Sequence, residues 1–499
     1  MERSRAASLR HPRPAEAARS VSDVTAFSPQ PLSEFDFRSA TGEPWERRVQ
    51  QGRAIRAKTP RESHGTWTPA RDRPDPVEAM LATEAGRQEH LLPLRHARMA
   101  ASPFGFFRGA AAVMAWDLAR TPHIGLPVVI CGDAHVNNFG LYGTAHGDVV
   151  FDINDFDEVT IGPWEWDLKR LTASVSVLGR ENGLDADDRR HAVMICVAGY
   201  RTNLERLHAM SVLDLWYLHM VADRVDIKPI KAAYPAIAKL WPKAQPVLEK
   251  AAAKAYQTNN AMLLSKVADR GVAGGWRFRM DPPILTGVDQ ATRERVIDAL
   301  NTYWRSLPVE RRWMLRHYHV ADVAHRVVGV GSVGTRAYLV MLFGNSDSDP
   351  LFLQVKEAVK PAHAPFLPPL PAEYRHNGRR VTIGETVLQA DTDPLLGYTE
   401  MDGRHYYVRQ MKNMKAALPM SVLSGDAFDA FSFAFGCLLA RAHARSGDAA
   451  VIAGYCGKSA ALDVAFADWA EAYADQTVKD HAQLVKAIKS GRVEAASEA

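Results

Sequence analysis

No stretch of this chain reaches the eighteen or more uninterrupted apolar residues of a membrane span, and its N-terminus lacks the apolar core of a secretory signal. A cytoplasmic protein with no membrane partner is expected. Cysteine is scarce. Cys131, Cys196, Cys437 and Cys456 stand far apart with no Cys-x-x-Cys pair, which argues against a zinc module or a disulfide framework and predicts reduced, buried thiols. Charge of one sign is also lacking. With 61 Lys and Arg against 57 Asp and Glu the net charge is +4, too small and scattered to expect a nucleic-acid partner.

What is present is a globular composition over 499 residues, enough to bury a large core in one bilobal unit or two domains. Residues 1–76 are polar, Pro- and Arg-rich and weakly periodic, and read as a flexible leader with one short helix near Trp45 to Ala57. Residues 77–321 read as a helical lobe. Helical spacing covers Glu78 to Met99, breaks at Ser102 to Gly109 and resumes through Leu118. It returns over Asp167 to Gly179 and Asp185 to Met210 and continues to about Arg305, with Gly274-Gly275 as a turn between helices. Residues 322–415 turn strand-like, and 416–499 close the chain with two helical blocks, Asp426 to Ser446 and Ala460 to Ser490. Trp216, Trp241 and Trp276 read as packing anchors.

The chain is organised around Val128 to Leu171, VVICGDAHVNNFGLYGTAHGDVVFDINDFDEVTIGPWEWDLKRL. The apolar run Leu126 to Cys131 stops at Gly132-Asp133, as a buried strand does when a tight turn presents a carboxylate. Asn138 follows, and a second short strand, Asp148 to Ile153, runs into Asn154-Asp155-Phe156-Asp157-Glu158. Hard cations such as Mg²⁺ take carboxylate and amide oxygens beside substrate phosphates, so Asn138 and Asp155 suffice as metal ligands. Asp133, off the metal, is then placed to accept the proton of an attacking hydroxyl. Asp133-x-x-x-x-Asn138 has the spacing of a kinase catalytic loop, and Asp155-Phe156-Asp157 stands where a kinase keeps its metal-binding Asp-Phe-Gly. Each of these residues alone reads as an ordinary turn former. Two acid-bearing strand ends so close together read as a metal-phosphate site. His135 and His146 are neighbours of that site or loop histidines, His146 the latter.

A second informative stretch is Val327 to Gly334, which carries G-x-G-x-x-G. A dinucleotide fold needs a helix directly after such glycines, whereas Tyr338 to Phe343 is β-prone, so a phosphate-covering hairpin is expected. The next strand ends at Lys356, in the form of the kinase Lys that binds nucleotide phosphates. Glu385 is the candidate partner of Lys356, with Glu357 and Glu373 competing. His405 to Met411 reads as a further strand, with Arg409 and Lys412 either at the site or solvated. Arg108, set amid phenylalanines, is a phosphate clamp or a structural Arg stacked on Phe. His443 reads as a packed helix residue.

Together GDAHVNNFG, NDFDE, GVGSVGTR, LQVKEA, YYVRQMKNMK and LARAHARSGD resemble the bacterial family called domain of unknown function 2252, over roughly Leu91 to His481. The resemblance implies an α+β, protein-kinase-like bilobal fold. Trp166-Asp167-Leu168 resembles the Asp-Leu-Ala step of aminoglycoside-phosphotransferase-like kinases, which implies that Asp167 holds the catalytic loop through backbone hydrogen bonds. Asp157 stands where most kinases keep Gly, and Glu385 where the family usually has Gln. The catalytic motifs precede the Gly-rich hairpin, the reverse of an ordinary kinase, and a circular permutation reconciles the two orders. The expected function is an ATP- and Mg²⁺-dependent phosphotransferase acting on a small-molecule acceptor. In it Asp133 is the base, Asn138 and Asp155 hold metal, Gly329, Gly331, Ser332, Gly334 and Lys356 hold phosphates with Glu385 behind, and Asp167 braces the loop. A two-metal phosphoesterase and a nucleotide-binding pseudoenzyme are the alternatives.

Overall fold

The computed structural model describes residues 42–496 apart from 223, 272–273, 328 and 412–413. The architecture is α+β, with antiparallel sheets set against helices in two bodies.

The larger body is built on the helix Trp164–Glu181, which is buried along almost its whole length. Glu165 and Asp167 in its first turn and Arg180 in its last suit the helix dipole. The helices Ala186–Leu207, Gly425–Ala444 and Ala461–Lys489 share its core. Asp185 starts the first of these by accepting from the Asp188 amide at 2.9 Å. Two antiparallel pairs lie on this core: Pro127–Ile130 with Thr160–Pro163, and Phe139–Gly143 with Val149–Ile153. Their loop ends carry the acidic residues.

The smaller body is a six-stranded sheet ordered Gly397–Met401, Arg404–Gln410, Pro350–Glu357, Ala337–Phe343, His319–Arg326, Leu285–Gly287. Period-two alternation along the central strand divides its side chains between two faces. Leu351, Leu353 and Val355 pack on Val296, Ala299 and Tyr303 of the helix Gln290–Ser306. Phe352 packs in a second cluster on the opposite face, and Gln354 and Lys356 continue that face. After Arg404–Gln410 the chain crosses to the larger body, where Ala416–Ala417 pairs with Phe139–Gly143.

Several sequence expectations change. Residues 42–76 are packed rather than flexible. The helix expected near Trp45 to Ala57 is present as Trp45–Ile55 and lies against Ala449–Cys456, and Arg73 reaches the buried Asp117 at 2.8 Å and Asp480 at 2.6 Å. Residues 1–41 of the expected leader, and Lys412, lie outside the described residues. The break at Ser102 to Gly109 is itself the helix Pro103–Gly109, because Ser102 caps it and Pro suits its first position. Gly274-Gly275 turns a two-stranded hairpin, Ala268–Arg270 with Trp276–Phe278, rather than joining helices. The helix Gln290–Ser306 belongs to the smaller body, so the boundary expected at 321 falls inside that body. The reason is physical: the sheet's apolar face needs a cover, and this amphipathic helix supplies it. No single helix among the described residues is long and apolar enough to cross a membrane.

Candidate active site

The loop after Pro127–Ile130 is templated by one helix face. Asp167, Arg170 and Ser174 lie three and four residues apart on Trp164–Glu181 and therefore point the same way. Asp167 accepts from the amides of Cys131 at 2.7 Å and Gly132 at 2.9 Å. Arg170 Nε donates to Asp133 Oδ1 at 2.8 Å, and Ser174 Oγ accepts from the Val136 amide at 3.1 Å. Gly132 is required here. Its φ is +75°, and a Cβ on it would stand 2.2 Å from the Glu158 carbonyl. Behind Asp167 stands His443, at 3.2 Å from its Oδ2, with the Tyr200 hydroxyl at 2.9 Å from the other ring nitrogen. The role of Asp167 as a brace was expected. Those of Arg170, Ser174 and His443 were missed, although the spacing Asp167, Arg170, Ser174 marks one helical face.

Asp133 thus has one oxygen on Arg170 and the other facing a cavity, with His135 Nε2 at 3.8 Å from it. Burial raises its carboxyl above the ordinary range, against the pull of Arg170. Asn138 Nδ2 donates to the Asp133 carbonyl at 2.8 Å, so its amide oxygen is the atom left for a cation. Burial and the neighbouring Asp157 raise Asp155. Hard oxygens from Asn138 and Asp155 fit a small divalent ion.

The Gly-rich hairpin turns between His319–Arg326 and Ala337–Phe343. Its carbonyls are held from outside: Arg87 donates to Gly331 at 2.8 Å and Val333 at 2.6 Å, Arg98 to Gly329 at 2.5 Å, and the Gln88 amide to Gly334 at 2.8 Å. Beneath lies a cavity of about 110 Å³ whose walls include Asp133, Asn138 and Asp155 together with Gly329, Gly331 and Ser332. It shares Arg87, Glu158 and Glu357 with an adjoining cavity of about 340 Å³. Gly334 is not in this wall. It packs at φ +89° against Arg87.

Lys356 is not paired with Glu385 as expected. Its ammonium pairs with Asp157, which also accepts from Ser332 Oγ and the Tyr407 hydroxyl, each at 2.9 Å. Lys356 and Tyr407 are cross-strand neighbours, so both reach the same carboxylate. The physical reason is the residue type at 157: a Gly there would leave the ammonium free, whereas the Asp carboxylate captures it. Burial would raise Asp157, but Lys356 outweighs it and holds the group at about 2. Glu385 sits on the helix Asn377–Leu388 with Oε2 buried and unpartnered, and burial pushes it up to about 7. Glu357 pairs with Arg336 and Arg404. Arg409 approaches Gln354 Oε1 at 3.3 Å and the Asn154 carbonyl at 3.5 Å. Among the described residues Arg108 stacks on no Phe; Arg170 does, 3.9 Å from the Phe107 centroid. His146 is exposed and outside the cavity.

Comparison with known proteins returns no match among curated proteins and none among solved structures. Residues 87–487 match the family described as uncharacterised protein conserved in bacteria, DUF2252, and span both walls of the cavity. The chain belongs to that family.

Proposed function

We propose that this protein is a kinase-like phosphotransferase with circularly permuted lobes, using ATP with Mg²⁺ to phosphorylate a small hydroxyl- or amine-bearing acceptor. The observation that carries the reading is the shared cavity. Asp133, Asn138 and Asp155 meet Gly329, Gly331 and Ser332 there, although nearly two hundred residues separate the groups in sequence. A metal-phosphate site needs both halves, and chance placement of two unrelated turns would not bring them onto one void.

In this reading the Asp133 oxygen on Arg170 fixes the carboxylate, and the other takes the acceptor's proton. Its raised affinity for protons suits it to that task. Asn138 and Asp155 would hold the divalent ion, which when bound bridges the phosphates and neutralises their charge. Lys356 and Ser332 exchange Asp157 for phosphate oxygens, an anion for an anion. The phosphoesterase alternative needs a second set of metal ligands, and His146 and Asp148 stand outside the cavity.

Thermal unfolding with ATP or GTP and Mg²⁺ tests the reading. A ligand at about a hundred times its Kd adds about 2.7 kcal/mol to stability. A clear rise in Tm, lost in Lys356→Ala, is expected. Absence of any shift, or hydrolysis of phosphoesters without nucleotide that Lys356→Ala leaves intact, overturns it. Binding without turnover against a broad acceptor library would leave a nucleotide-binding module.

A further inference from the structure

Five carboxylates line the cavity: Asp133, Asp155, Asp157, Glu158 and Glu357. An anionic phosphoryl group would be repelled there unless cations answer it. Three arginines also line it, Arg87, Arg95 and Arg108, all from the segment that caps the Gly-rich hairpin. Arg87 is spent on the carbonyls of Thr83, Gly331 and Val333. Arg95 donates to the Gly109 carbonyl at 3.0 Å and lies 3.6 Å from Glu84. Lys356 is held by Asp157.

Arg108 differs. Among the described residues its guanidinium makes no hydrogen bond and no ion pair, and its Nε is buried without a partner. Asp133 and Asp155 are near enough to favour its charge, but neither comes within salt-bridge distance. Its own carbonyl abuts the Gly-rich tip, 3.4 Å from where a Cβ on Gly331 would stand. Arg108 thus lines the cavity beside that tip, with its guanidinium close enough to Asp133 and Asp155 to feel their charge. A guanidinium on a cavity wall with no protein acceptor is free to donate to an acceptor that a ligand brings.

We propose that Arg108 is a further catalytic residue, which donates to the oxygens of the phosphoryl group in transfer. The inference rests on the phosphotransferase reading above. In the step, the acceptor oxygen forms a bond to the γ-phosphorus while its proton passes to Asp133. The bond from phosphorus to the bridging oxygen breaks, and ADP leaves with that electron pair. Arg108 gains and loses no proton. Its planar fork matches the equatorial oxygens, on which charge is spread at the midpoint.

The test uses the full chain, water as acceptor, and titration calorimetry of MgADP with and without fluoroaluminate, which imitates the phosphoryl group in flight. In the wild type fluoroaluminate should tighten MgADP. Arg108→Met keeps the aliphatic stem, and should bind MgADP within about threefold of wild type yet lose the tightening. Its ATP hydrolysis should fall by about 10²–10³, the usual effect of removing one transition-state donor. Arg108→Lys should recover only part of the tightening. Full tightening in Arg108→Met overturns the proposal, as does a wild type that binds MgADP with no fluoroaluminate effect; both leave the nucleotide reading standing. Failure of the wild type to bind MgADP at all removes that reading and the role of Arg108 with it. Unfolding of both variants would make Arg108 structural and would also overturn it.

Discussion

The two walls of the cleft are held by opposite means. The acidic wall is a loop whose amides end on side-chain acceptors of one buried helix, with Asp167, Arg170 and Ser174 spaced to serve it and His443 behind. The glycine wall is a hairpin tip whose carbonyls are held by arginines from outside the sheet. Pinning the first through N–H groups fixes the carboxylates. The second is held by its carbonyls, while the Val333 and Thr335 amides bond within the turn to Val330 and Ser332. In the proposed reading, proton transfer and metal binding would fall to the acidic wall and phosphate contacts to the glycine wall.

The sharpest way to break that comparison is Asp133→Asn. Turnover should fall by about 10²–10⁴ while MgATP affinity is kept, because the proton acceptor is lost and no phosphate ligand is. Asp155→Asn should instead weaken Mg²⁺-dependent binding itself. Calorimetry beside a turnover assay separates the two, and equal loss of binding in both would show that the walls are not divided in this way.

Next in size is the stability of the acidic wall. Asp167→Ala strands two buried amides and should cost about 2–5 kcal/mol in urea unfolding. Arg87→Ala strands carbonyls, which tolerate a missing partner better, and should cost about 1 kcal/mol while raising the Kd for nucleotide. A reversed order would mean that the hairpin is the rigid element.

Much of the acidic wall was legible in the sequence because turn chemistry is local. Gly132-Asp133 ends a strand, and the residues needed to see that are adjacent. Asp167 was legible by resemblance; its face-mates Arg170 and Ser174 were missed, although helical spacing sets them beside it. The partner of Lys356 was not, because 199 residues separate it from Asp157 and pairing at that range depends on how the bodies meet. The helix Gln290–Ser306 was misplaced for the same reason: its pattern announces an apolar face but not which core the face joins.

Lys356→Ala examines the link between the walls. It removes the cation from Asp157, and nucleotide affinity should fall at least about tenfold, or 1.4 kcal/mol. Hydrogen exchange at Cys131 and Gly132 should not change, since Asp167 holds those amides without help from the sheet. Faster exchange there would mean that the acidic wall depends on closure of the sheet above it.

A further effect of similar size lies outside both walls, in Glu385 on the helix Asn377–Leu388. Burial raises its carboxyl to about 7, from an ordinary value near 4.5, and its Oε2 has no hydrogen-bond partner. The folded state therefore holds a proton that the unfolded state has released between those values. Stability must fall as pH rises from about 4.5 through 7. Glu385→Gln removes the titration and keeps the shape, so the variant should match wild type at pH 5 and exceed it at pH 8. The gain should be on the order of 1–2 kcal/mol, limited by the attraction that Arg409 and Lys415 exert on the ionised form. Urea unfolding at the two pH values measures it. A variant less stable than wild type at pH 8 would mean that Glu385 is ionised and paired in the folded protein.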